Sequence, residues 1–310
     1  MRDRLNVMHP VYLPFTKGEF SGHFAGVKRE GKCAGAAEQH VRYYRESIER
    51  YGKFGEKCRN RQGKPLSELR RPCQIEKDEK FWTAACLMTV FQSENRPQEL
   101  ISLFKKAYGD VPPITDIDNW EECVDGMLHL FFEPNLPSPQ EYKQWLRTHL
   151  SRQQFIPYIL DSDNGRKNLE GATNVDAMLL NSERGFAVII EAKVLSDISY
   201  QVTYDVMRNQ IARNIDVMLE PNDTVCDPLR GRDPNKTLFL LLTPRIFKDN
   251  PTTRLYGYKM NAYQKDPQSL QHEFPHRKDC DWESLSRRLG WLTWEDFRAV
   301  NRDCCRWLGK

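Results

Sequence analysis

The stretch TNVDAMLLNSERGFAVIIEAKV, residues 173–194, decides how the rest of the chain is read. Two apolar runs flank a polar centre, Ser182-Glu183-Arg184-Gly185, the pattern of two strands joined by a turn. The second run, AVIIEAKV, does not alternate between apolar and polar residues. A strand with one face in water would alternate, so this strand is expected in the middle of a sheet, covered on both sides. Yet Asp176, Glu191 and Lys193 fall within or beside these runs.

Hairpin register relates the three. A two-residue loop at Glu183 and Arg184, or a symmetric four-residue loop, sets Asp176 directly opposite Glu191, whereas an odd loop shifts the pairing. Directly opposed side chains share a face, with Cβ atoms about 4.5–5.5 Å apart. Lys193, two residues beyond Glu191, shares it too. Facing like charges destabilise a sheet, and burying them without partners costs several kcal/mol. A divalent cation between the carboxylates removes that conflict. Carboxylate oxygens suit Mg²⁺, with Mn²⁺ as a substitute. A neighbouring ammonium then positions or helps deprotonate a water and offsets charge on a phosphate.

Composition sets wider bounds. The 310 residues are enough for one large domain or a core with additions. No apolar run approaches the roughly 18–20 residues of a membrane span, and no signal-peptide core follows the basic start MRDRLNVMHPVYLPF. A cytoplasmic protein is expected. The nine cysteines are odd in number and irregularly spaced, with no C-x-x-C, so buried reduced thiols are expected rather than a disulfide framework or a zinc site. The net charge of +3 gives no bulk electrostatic case for nucleic acid. Its distribution is uneven: residues 53–71 are rich in Lys and Arg, and residues 110–133 are acidic. The sequence HEFPH, residues 272–276, matches H-E-x-x-H by letter, but Pro275 would clash inside the helix that zinc chemistry requires. No Gly-rich phosphate loop supports use of ATP.

Periodicity supplies the other elements. Helices are expected over residues 34–51, 78–92 and 97–109. Another starts at residue 138, where Ser138, Pro139 and Glu141 read as a capping box. The stripe Met207, Ile211, Ile215 and Met218 predicts a helix over 202–219, and KTLFLLLTP, residues 236–244, reads as a buried strand. Two short helices are expected beyond residue 280, the second capped by Thr293 and Asp296. The order helix, strand, strand, helix, strand predicts an α/β fold with a mixed central sheet flanked by helices. Residues 1–135 are expected to form a mainly helical N-terminal region, 136–250 the core, and 251–310 a C-terminal loop and helical extension.

Asp176, followed after a hairpin by Glu191-Ala192-Lys193, resembles the PD-(D/E)xK nuclease superfamily, whose fold is that of restriction endonucleases. That family's core has a helix before the hairpin, then a helix and a strand after it, and residues 138–244 offer elements in that order. An isolated E-x-K is common; the apolar strand, the matching aspartate and the following elements give it weight. Val175 stands where the family often has proline, and the resemblance leaves about two thirds of the chain uncovered. It implies a restriction-endonuclease-like core and a Mg²⁺-dependent endonuclease acting on DNA, with 5′-phosphate and 3′-hydroxyl products. It makes Asp176 and Glu191 metal ligands and Lys193 the catalytic lysine. Glu170 is a candidate further acidic ligand. Gln210 is a candidate site residue, because the family's corresponding helix commonly carries a glutamine near the site, whereas Arg213 and Asn214 read as an exposed face. By analogy, a restriction or defence enzyme is expected, a homodimer cutting both strands, with the basic stretch on backbone phosphates. The rival readings are a nucleic-acid-binding protein that keeps the fold without cleaving, and a nuclease for RNA or branched DNA.

Overall fold

The computed structural model describes residues 7–8, 11–30, 37–54, 69–70, 75–153, 155–165, 169–198, 205, 207–221, 223–225 and 227–308. Most of the basic stretch, residues 55–68 and 71, lies outside the described residues. The central sheet has five strands: β1 (Leu128–Phe132), β2 (Ala177–Asn181), β3 (Phe186–Ala192), β4 (Thr237–Thr243) and β5 (Leu289–Thr293). Their order is β5-β4-β3-β2-β1. β3, β4 and β5 run parallel, and β2 is antiparallel to both of its neighbours.

The hairpin loop is the even one. Asn181 pairs with Phe186 and Ala177 with Ile190, leaving residues 182–185 as the loop. The same register carried one step further sets Asp176 opposite Glu191. Asn181 Oδ1 accepts the N–H groups of Glu183 and Arg184, both at 3.2 Å, and Gly185 closes the turn at φ +71°. A side chain at Gly185 would meet strain from that φ and a Cβ contact of 3.1 Å with Asp233.

Every residue of β3 and β4 is buried, as a strand covered on both faces requires. Phe186, Val188 and Ile190 face one apolar layer, and Ala187 and Ile189 the other. The first layer comprises helices α1 (Lys17–Glu30), α2 (Ala37–Tyr51), α3 (Glu79–Phe91) and α4 (Arg96–Tyr108). On the other face lie α6 (Gln210–Met218), α7 (Leu255–Lys265) and α8 (Trp282–Arg287). α5 (Gln140–Thr148) precedes the hairpin, and α9 (Trp294–Val300) returns the chain to the first layer. α3 is buried from Phe81 to Val90 because the sheet and the C-terminal segment enclose it, and Asp78 caps it by accepting the Phe81 N–H at 3.0 Å. α9 begins with the expected reciprocal cap: Thr293 Oγ1 accepts from Asp296 N, and Asp296 Oδ2 from Thr293 N. Cys86, Cys123, Cys304 and Cys305 are buried free thiols, and Cys280 is half-buried.

Four expectations change. The edge strands β1 and β5 come from segments read as helical regions, so strands on either side of residues 135 and 250 hydrogen-bond within one sheet. LHLFF and LGWLT are five-residue apolar runs, too short for periodicity to separate strand from helix. Ser138 forms no capping box. Its hydroxyl donates to the Gly171 carbonyl, and α5 starts at Gln140 without a side-chain cap. α6 begins at Gln210, not near residue 202. Asn209 caps it by accepting the Ala212 N–H at 3.1 Å, which leaves Met207 outside the stripe and 59% exposed. Residues 199–204 and 206 lie outside the described residues.

His23 on α1 packs edge-on against Phe24, Phe91 and Phe132. Its Nε2 has no hydrogen-bond partner among the described residues. Burial pushes its pKa down from 6.5 to about 4. The unfolded chain therefore takes up a proton below pH 6.5 that the folded chain refuses, and this group's stabilisation is lost as pH falls from about 6.5 to about 4. The full loss is on the order of 3 kcal/mol. Denaturant titrations at pH 7 and pH 4 should show His23→Leu losing less stability across that interval than the parent.

Candidate active site

Glu191 is the fulcrum. It sits in β3 on the face covered by α6 and is fully buried. Lys193 Nζ donates to its Oε1 at 2.5 Å, and Asn214 Nδ2, from α6, donates to Oε2 at 2.6 Å. Burial raises the Glu191 pKa, the nearby Asp176 charge adds to that, and Lys193 and Asn214 oppose it; the result is a carboxyl pushed up to about 8. A desolvated carboxyl that faces a second carboxylate thus resists ionisation.

Asp176 marks the point where the chain leaves the β2–β3 ladder. The Ala192 N–H has no strand partner there, so Asp176 Oδ2 accepts it at 2.8 Å. Oδ1 accepts the Tyr44 hydroxyl at 3.4 Å. Asp176 is half-buried, whereas Lys193 is only 6% exposed. Burial works against the Lys193 ammonium, but Glu191, Asp176 and Glu79 together hold its pKa above the usual lysine value. Lys193 is therefore suited to orienting a water and offsetting charge, rather than to taking a proton.

The N-terminal helices close the site from the other side. Glu79 Oε2, in the first turn of α3, accepts the Val194 N–H at 2.9 Å and the Ser196 hydroxyl at 2.7 Å. Lys80 Nζ lies 2.5 Å from Glu133 Oε1 and 4.5 Å from the centre of the Tyr44 ring. The Glu133 N–H in turn donates to the Asp176 carbonyl at 3.1 Å. Four carboxylates, Asp176, Glu191, Glu133 and Glu79, thus meet two ammonium groups, Lys193 and Lys80. When all are ionised, these described groups leave two negative charges, a deficit that one divalent cation would fill.

Among the described residues, no three His, Cys, Asp or Glu side chains converge closely enough to hold a metal ion by themselves. Mg²⁺ does not need them to. It keeps several waters and is commonly held by one or two carboxylates together with substrate phosphate oxygens. Each oxygen of Asp176 and Glu191 that accepts a hydrogen bond has a second lone pair. The donor set fits Mg²⁺ on those terms.

Among the described residues, no contact joins Glu170 to these carboxylates. Its Oε1 lies 2.7 Å from Arg213 Nη2, within a buried cluster that includes Arg208 and Asp205. Gln210 is the half-buried first residue of α6, one turn before Asn214 on the same face. Asn214, read from the sequence as exposed, is fully buried and is the α6 residue that touches Glu191. A helix position four residues after Gln210 shares its face, and that spacing was the available signal. Tyr44, Glu79, Lys80 and Glu133 carried none, since they lie far from the hairpin in sequence.

Comparison of the chain with protein-family profiles, curated proteins and solved structures found no match. Among the described residues, no helix is long and apolar enough to cross a membrane.

Two measurements test this description. Asn214→Ala leaves Glu191 Oε2 without its donor and should destabilise the protein by about 1–3 kcal/mol in denaturant titrations. The folded Glu191 keeps a proton that the unfolded chain releases near pH 4.5, so its stabilisation is complete below that pH and is lost as pH rises to about 8. Glu191→Gln should flatten the stability–pH curve across this window; an unchanged slope would show that Glu191 is not the group titrating.

Proposed function

We propose that the chain is a Mg²⁺-dependent endonuclease acting on DNA, with a restriction-endonuclease-like core of the PD-(D/E)xK kind. The observation that carries the reading is the meeting of Asp176 and Glu191 at the end of a fully buried strand, with the Lys193 ammonium 2.5 Å from Glu191. Folding alone gives little reason for that conjunction, because replacing a buried ion pair by apolar residues is often neutral or stabilising. The element order supports it as well: α5 precedes the hairpin, and α6 and then β4 follow.

Each residue then has a task. Asp176 and Glu191 would hold the cation, which when bound supplies charge to the scissile phosphate and acidifies a water. Glu191 must give up its proton to do so, so cation binding should release protons below about pH 8. Lys193 would hold its positive charge beside the cation's ligands and orient the attacking water there. Asn214 fixes the Glu191 carboxylate plane by binding the oxygen that Lys193 does not. A homodimer would bring two such sites to the two strands of a duplex.

Cleavage assays on duplex DNA, with and without Mg²⁺, test the assignment. Asp176→Ala and Lys193→Ala should each lower the Mg²⁺-dependent rate by about 10²-fold or more, with circular dichroism confirming an intact fold. Wild-type rates in both variants would remove these residues from the chemistry. Activity confined to RNA or branched DNA would change the substrate, and DNA binding without cleavage would make the protein a binding module.

A further inference from the structure

Building on the nuclease reading, we propose that Lys80 is a second cation of the site, one that moves from Glu133 to a phosphate oxygen of the substrate. Lys193 is poorly placed for that contact, being nearly buried and engaged by Glu191. Lys80 reaches the same centre from α3, and a third of its side chain is exposed. It is the more accessible of the two ammonium groups around Asp176.

A closed ring of contacts places it. Tyr44 donates to Asp176 Oδ1, and the Lys80 ammonium sits over the Tyr44 ring. Lys80 pairs with Glu133 Oε1, and the Glu133 N–H returns to the Asp176 carbonyl. Phe132 stacks on Tyr44 with ring centres 5.0 Å apart, holding the phenol in place. Glu133 itself adopts φ +52°, a left-handed conformation that a residue with a long side chain rarely takes. Such conformations persist where the surroundings over-determine them, and they cluster at functional sites. Here the residue in that conformation holds Lys80 with its carboxylate and the Asp176 carbonyl with its N–H. Glu133 acts as a placeholder: it neutralises Lys80 while the site is empty and yields it when a phosphate arrives. The Tyr44 hydroxyl remains beside both carboxylates throughout. Lys80 is thus a substrate-binding residue, and Glu133 positions it.

The test is equilibrium binding of a duplex DNA to Asp176→Ala protein, which separates affinity from turnover, over a series of salt concentrations. Adding Lys80→Met should weaken binding about ten-fold and reduce the salt slope by about one. Lys80→Arg should keep most of the affinity. Glu133→Gln frees Lys80 from its internal partner and should tighten binding several-fold, whereas a merely structural Lys80–Glu133 pair would make this variant bind no better. Thermal unfolding of each variant confirms that the fold is kept. Parent binding left unchanged in affinity and salt slope by Lys80→Met overturns this inference alone. Failure of the parent to bind DNA at all overturns the nuclease reading and this inference with it.

Discussion

The constraint on which the molecule turns is a carboxylate, Glu191, held with no access to water in a strand that is apolar on either side of it. An ionised group in that position requires partners at both oxygens, because each unpaired oxygen would carry the desolvation penalty of a buried charge. The two donors come from different elements. Lys193 lies two residues further on, just past the end of β3, and Asn214 reaches down from α6. Asp176 then pushes the same carboxyl toward protonation from across the hairpin. The charge on Glu191 is therefore set jointly by Lys193, Asn214 and Asp176.

Position in the sheet explains why so many elements meet there. β3, β4 and β5 are parallel, and the site lies just beyond the carboxyl end of β3. Parallel strands leave such a crevice at their carboxyl ends, where the chain departs and backbone groups lose their ladder partners. Each freed group recruits a side chain from a different layer. The Ala192 N–H takes Asp176, and the Val194 N–H takes Glu79 from α3. The Lys193 carbonyl accepts the Trp294 indole N–H at 3.0 Å from α9. Satisfying the end of one strand thus ties the N-terminal helices, the hairpin and the C-terminal helix to a single point.

Much of this was legible in the sequence, for reasons that also explain what was not. The hairpin register followed from parity, since any symmetric loop between residues 182 and 185 opposes Asp176 and Glu191. The buried central strand followed from the absence of alternation in AVIIEAKV. β1 and β5 escaped because five apolar residues carry no measurable period. The capping box at Ser138 had the right letters, but the hydroxyl is drawn to Gly171, a tertiary partner that local pattern cannot reveal. Asn214 was misjudged because polarity on an amphipathic helix ordinarily marks the solvent side. Its burial is set by Glu191, 23 residues earlier in the chain. Tyr44 and Lys80, on helices that cover one face of the sheet, and Glu133, just after β1, were beyond reach because only the whole topology brings them together.

The side of α6 turned away from Glu191 shows how rigidly Asn214 must be held. Asp216, two residues on, is fully buried and accepts from Arg208. It also lies 3.0 Å from His276 Nε2 and accepts from Arg277 Nε at 2.7 Å. Burial works against the Asp216 charge, yet these three groups keep its carboxyl well below the usual range. Arg277 further reaches Glu220 at 2.5 Å, beyond the end of the helix, and Asn209 donates to the Tyr263 hydroxyl at 2.8 Å at its start. A helix of nine residues has little intrinsic stability, so its placement depends on these anchors from the C-terminal segment. Glu191, the anchored helix and the C-terminal loop are therefore joined by a continuous series of contacts. Arg277 and His276 hold Asp216 on one side of α6, and Asn214 holds Glu191 on the other, without either of the first two residues touching Glu191.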